Sequence, residues 1–211
     1  MRTECKTIEY FQFDELSDNA KERAREWFRS GDDGFWSECA TESIKENLVK
    51  LGFNKPTLYW SGFSSQGDGA CIVGSWYASD CKPDSIISEY PADNAWHKIA
   101  VQYAEFIGSN PSASASLVHR GHYYHEISVE ITADVPLPEY DDEQERTVAE
   151  WRDIDAKRDA AIDELCELFR DVMRECYRTL NDEYEYANSD ECVDGTIRAN
   201  DYEFDASGAR I

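Results

Sequence analysis

Apolar positions recur with helical spacing at both ends of the chain and with strand spacing in its middle. Leu16, Ala20, Ala24 and Trp27 follow one another at three- and four-residue steps. They predict a first helix entered at Ser17, a hydroxyl N-cap, with Asp18 in the first turn where the helix dipole favours an acid. Gly31 to Gly34 ends it. Ala40, Ile44 and Leu48 mark one stripe of a second helix over about residues 37–51, and Gly52 stands where a C′ residue must turn left-handed.

Thr57-Leu58-Tyr59-Trp60 and Ala70 to Tyr77 then read as strands, joined by the glycine-bearing stretch Ser61 to Gly69. Pro83 and Pro91 bracket a connection, residues 93–107 predict a third helix, and Ser112 to His119 and Tyr123 to Ala133 predict two more strands. Helical period returns over residues 141–184. Val148, Trp151, Ile154, Ile162, Leu165, Phe169, Val172, Cys176 and Leu180 form its seam, with a break expected near Asn181 because the run is long for a globular helix. A short helix over 190–199 and a strand over 201–205 close the pattern.

These elements predict an α+β fold: an antiparallel sheet of about four strands packed with helices, plus a long acidic C-terminal helix. The sheet core is expected over about 55–135. The long seam needs a cover, which favours a single domain over 1–211.

Charge changes the picture more than composition does. The chain carries 44 Asp and Glu against 21 Lys and Arg, a net of −23 over 211 residues, while its six Trp, twelve Tyr and nine Phe suffice for a sizeable core. Phosphates bind basic footprints, so nucleic acid as a direct ligand and anionic membranes are both disfavoured. Asp155, Asp159, Asp163, Glu167, Asp171 and Glu175 stand at every fourth position of the long helix. Such steps rise about 6 Å, on the scale of phosphate spacing, but also rotate by about 40°, so the ladder winds round its helix. Arg158, Arg170, Arg174 and Arg178 lie three residues after Asp155, Glu167, Asp171 and Glu175 and are placed to neutralise them. Asp159, Asp163 and Glu164 lack such a partner. Glu139, Asp141, Asp142, Glu143 and Glu145 add a further acidic patch upstream.

Candidate chemistry is sparse. The seven cysteines include no Cys-x-x-Cys pair, which suits free thiols in a reducing cytoplasm. Cys166 and Cys176 are better read as core-facing than as zinc ligands, and no cofactor signature is present. Met1 to Cys5 lacks the apolar core of a signal peptide, and no apolar run is long enough to span a membrane. The segment Ser61-Gly62-Phe63-Ser64-Ser65-Gln66-Gly67-Asp68-Gly69-Ala70 has neither the lysine of a P-loop nor a Gly-x-Ser-x-Gly elbow. Its glycines favour a turn that Asp68 caps, with an acid or ligand role for Asp68 as the alternative.

His119-Arg120-Gly121-His122-Tyr123-Tyr124-His125 holds three of the four histidines. If the flanking strands form a hairpin, an odd loop is needed to keep both apolar faces inward. Arg120-Gly121-His122 satisfies this and would put His119, Tyr123 and His125 on the inner face. Hydrogen-bonded core histidines are the simpler reading; a metal or proton-transfer site of Asp68, His119, His122 and His125 is the sharper one.

The Phe13-Asp14-Glu15-Leu16-Ser17 opening, the 61–70 and 119–125 segments and the closing Asn200-Asp201-Tyr202-Glu203-Phe204 with Gly208 resemble a family of uncharacterised phage-encoded proteins with no established activity. The resemblance implies a phage origin and a place in a bacterial cytoplasm. With the charge, it leads to the expectation of an acidic inhibitor that binds a basic host defence component as a nucleic-acid mimic, through the acids at 139–145 and 155–175. The alternative is an enzyme acting on a nucleotide or nucleic acid through Asp68 and the three clustered histidines.

Overall fold

A computed structural model describes residues 9–31, 34–136 and 147–211. The acids at Glu139, Asp141, Asp142, Glu143 and Glu145 lie outside the described residues. Contacts cluster in two compact units, Met1–Cys39 with Asp182–Ile211, and Ala40–Asn181.

In the first unit, strand β1 (Phe11–Gln12) pairs antiparallel with β6 (Glu203–Phe204), and helices α1 (Asp18–Ser30) and α6 (Asp190–Ala199) pack together. Their apolar stripes meet: Phe13, Leu16, Ala20 and Ala24 bury against Val193, Ile197 and Phe204. Arg25 forks onto Asp194 with bonds of 2.7 and 2.8 Å and holds its carboxyl below the usual range. Ser17 occupies the N-cap position of α1, but its side chain makes no capping bond.

The second unit is a four-stranded antiparallel sheet in chain order, β2 (Phe53–Ser61), β3 (Gly69–Tyr77), β4 (Ser114–His119) and β5 (Val129–Asp134). Helix α2 (Phe35–Lys50) leads into it from the first unit, and Gly52 follows at φ +92°. Helices α3 (Pro83–Glu89) and α4 (Ala95–Ser109) connect β3 to β4. The proline expected to bracket a connection instead opens α3, where a missing N–H costs nothing.

The alternating strand pattern puts Leu58, Ile72 and Leu117 inward and Tyr59, Val73 and Val118 on the opposite, open face. On the inner face Trp76 meets Phe169 at 5.4 Å and Phe106 at 6.3 Å between ring centres, while its indole donates to the Leu51 carbonyl at 2.6 Å.

Helix α5 (Val148–Ala187) supplies Phe169. It runs unbroken through Asn181, so no break occurs there. An asparagine inside a helix costs only tenths of a kcal/mol, less than the burial of Cys176 and Leu180 returns. Its 40 residues span about 60 Å.

The hairpin departs further from expectation. His119 pairs with Val129, so the connection is the whole of 120–128 and not Arg120-Gly121-His122 alone. The loop is still odd, and Leu117 faces Ile131 and Ala115 faces Ala133 as parity requires. Tyr123 and Ile127, expected in the strand, are instead 58 % and 78 % exposed. His119 and His125, expected on the inner face, are only half-buried, because the long loop carries His125 out of the strand.

Candidate functional site

The two glycine-bearing segments, far apart in sequence, meet in the second unit. Loop 120–128 folds against the start of β3, where the β3–β4 ladder has ended at Gly74 and Leu117. Gly69 permits the approach: a Cβ there would lie 2.7 Å from the Tyr124 carbonyl oxygen and 3.1 Å from the His125 ring. Gly67, at φ +104°, lies under the Tyr123 ring. This contact is why the loop is long, and nothing in local periodicity announces it.

Asp68 is used by its own turn. Its Oδ2 accepts the backbone N–H groups of Ser64 at 3.0 Å and Ser65 at 2.6 Å, and its N–H donates to the Ser65 carbonyl. The capping arrangement is the one the glycine spacing suggests. Tyr177 of α5 braces the turn by donating its hydroxyl to the Gly62 carbonyl at 3.1 Å. Burial, with the Asp68 charge added, raises the Tyr177 pKa.

The histidines part company. His125 Nδ1 lies 2.7 Å from Glu126 Oε2 and 3.4 Å from the Ile127 nitrogen. The shorter contact decides the tautomer: a lone pair facing a carboxylate at that distance is repulsive, so Nδ1 carries the proton and donates to Glu126. Glu126 also lies 3.4 Å from Arg174, which reaches Glu167 at 2.8 Å and pairs with Asp171. Arg174 thereby ties the loop to α5 and, with Arg170, holds the Glu167 carboxyl below its usual pKa.

His119 and His122, by contrast, line one open depression of about 590 Å³ with Tyr59, Val73, Val118 and Tyr124. His119 Nε2 lies 3.0 Å from the Tyr123 carbonyl. A carbonyl only accepts, so Nε2 carries the proton, and in the neutral ring Nδ1 is left as an acceptor. The structure therefore brings together His119 and His122 of the four expected residues, and neither Asp68 nor His125 lines the depression. No group of three or more His, Cys, Asp and Glu is placed to hold a metal ion among the described residues. Cys176 is fully buried and Cys166 half-buried, and burial raises both thiols. Val118 was legible as outward because it alternates with Leu117, and Arg174 only as the partner of Asp171; Tyr59, Tyr124 and Tyr177 gave no signal before the loops met.

The acidic ladder winds as its rotation demands. Asp155, Asp159, Asp163 and Glu167 are exposed, Asp171 is half-buried, and Glu175 is buried at 7 % exposure. Each expected arginine pairs with its acid three residues earlier: Arg158 with Asp155, Arg170 with Glu167, Arg174 with Asp171 and Arg178 with Glu175. Arg158 also approaches Asp159 at 3.9 Å. Asp163 and Glu164 make no ion pair among the described residues. Glu164 joins Glu105, Glu167 and Asp171 around a second, acidic depression between α4 and α5.

No helix among the described residues is long and apolar enough to cross a membrane. No curated protein and no solved structure matches the chain. A family model does match, over residues 36–190, which takes in the whole sheet, both depressions and α5; the chain belongs to this family, DUF8835, described as a domain of unknown function.

Proposed function

We propose that the protein is a phage-encoded acidic binding protein, acting in the bacterial cytoplasm on a basic host protein of a defence system and occupying its nucleic-acid site. One observation carries the reading. Asp163 and Glu164 stand exposed without an ion pair among the described residues, beside Asp159, Glu105 and Glu167, on a chain of net charge −23. A charge left uncompensated along one helix edge steers a basic partner and speeds encounter. The mimicking stretch is Asp155 to Glu167. Asp171 and Glu175 turn away with the helix and contribute less. The acids Glu139, Asp141, Asp142, Glu143 and Glu145, outside the described residues, add to the same negative charge.

An enzyme built on Asp68 and the histidines has weaker support, since the Asp68 carboxylate is committed to its turn and His125 to Glu126.

The test is capture from bacterial lysate by the tagged protein at low salt and at about 0.3 M, where exposed charges are screened within several Å. A basic nucleic-acid-binding protein held at low salt and released at high salt is expected. Its capture should also fail with Asp159, Asp163 and Glu164 all changed to Lys. Undiminished capture by that triple variant would overturn the reading.

A further inference from the structure

The open depression on the outer face of the sheet is built differently from the acidic one. Tyr59 and Tyr124 stack at 5.3 Å between ring centres with 14° between planes, and His119 stands 5.3 Å from Tyr124 and 6.4 Å from Tyr59. Val73 and Val118 complete the apolar lining. Neither tyrosine hydroxyl, nor His119 Nδ1, makes a hydrogen bond among the described residues. The result is a wall of aromatic faces edged by three hydrogen-bond acceptors, in a volume within the usual range of ligand sites.

Aromatic faces of this kind hold either a planar neutral ring, such as a nucleobase, or a cation. Charge decides between them. A phosphate-bearing base approaches a molecule of net −23 against repulsion, whereas a cation is drawn in. Among cationic groups guanidinium fits the chemistry best. Its flat, weakly hydrated face stacks on tyrosine, and its in-plane N–H groups need acceptors at the rim. Lysine ammonium is compact and strongly hydrated and gains less from a ring face.

We propose that this depression receives the guanidinium of an arginine displayed by the basic partner, stacked on the outward face of the Tyr59–Tyr124 pair, with His119 Nδ1 accepting one N–H. The inference rests on the reading of a basic partner but on none of the acids that carry that reading. It gives a protein whose charge attracts any basic surface one contact that distinguishes arginine from lysine.

The test uses three probes on the full chain: the peptide Gly-Gly-Arg-Gly-Gly, its lysine counterpart, and adenosine monophosphate. The readout is the NMR ring signals of Tyr59, Tyr124 and His119. A saturable shift is expected with the arginine peptide, with affinity about threefold or more above the lysine peptide. Val118→Lys places a cation at the rim of a side chain already 40 % exposed and should abolish the shift. Tyr59→Ala, on another exposed side chain, serves as a second variant. The Asp159, Asp163 and Glu164 triple-lysine variant should keep the shift. Equal affinity for the two peptides, or stronger shifts with the nucleotide, would overturn the proposal. Salt-sensitive lysate capture without any arginine-dependent ring shift would sink this inference and leave the acidic-surface reading standing. A saturable, arginine-selective shift with an empty low-salt capture would overturn the basic-partner reading and leave standing only the selectivity of the depression for guanidinium.

Discussion

The two halves of α5 carry the same sequence pattern and meet different surroundings. From Val148 to Glu164 the helix is mostly solvated: Val148 is 70 % and Trp151 48 % exposed, and the acids Asp155, Asp159 and Asp163 face water. From Leu165 to Leu180 the seam is sealed, with Leu165, Phe169, Val172, Cys176 and Leu180 fully buried. An acid every fourth residue continues across both halves. Its meaning reverses, because about 40° of rotation per step carries the stripe from solvent at Asp159 into the protein at Glu175. A periodic run of charge is therefore not in itself a binding face; how far it has rotated relative to the packed seam decides which members a partner can reach.

The contrast is broken most directly at Phe169. Its ring lies 5.5 Å from Phe53 and 5.4 Å from Trp76, so Phe169→Ala should cost about 3–5 kcal/mol in chemical denaturation. Loss of under 1 kcal/mol would mean that the second half of α5 is not the core element described. Glu175→Ala is the next step down. Its partner Arg178 is 60 % exposed and rehydrates when freed, so the cost should be about 1–3 kcal/mol, below that of orphaning a fully buried charge.

Replacing Asp159, Asp163 and Glu164 by Lys should shift stability by no more than about 0.5 kcal/mol per site, since all three are exposed. A melting curve collapsed by the triple variant would show that the first half is structural after all. The smallest effect is at Glu167, whose carboxyl is depressed in the folded state by its bonds to Arg174 and Arg170. A depressed carboxyl contributes stability above its unfolded pKa, near 4.5, and loses it as pH falls through the folded value. Glu167→Gln should thus be slightly less stable than the parent at pH 7, with the gap closing as pH drops below 4.5. The exposure of Glu167 keeps the gap small. Acid titration of both proteins checks it, and a gap that widens toward low pH would contradict the assignment.

Much of the fold was legible because its determinants are local. The short helix over 190–199 was readable to the residue, since Ser189 caps it and Val193 and Ile197 set its stripe. Strand alternation set Val118 on the face opposite Leu117, and parity required an odd loop. The register was not legible: a three-residue loop would set Leu117 opposite His125, and the nine-residue loop sets it opposite Ile131. The candidate site was only half legible. His119 and His122 stand in one segment and line one depression, but Tyr59 and Tyr124 join them through a loop that Gly69 admits against β3. The glycine spacing favoured a turn capped by Asp68 over a chemical role, and the Ser64 and Ser65 N–H groups donate to its carboxylate as that reading requires.

The sequence by itself determined the period of the long helices, the alternation of the paired strands, the arginines that pair with four of the six ladder acids and the net charge. Each of these depends on residues within a few positions of one another, where helix and strand geometry is fixed. Tertiary structure alone decided which acids stay in water, that α5 runs unbroken past Asn181, and that the two glycine-bearing loops share a surface. Burial at any one position depends on which distant segment arrives there, and the spacing of near neighbours does not encode that.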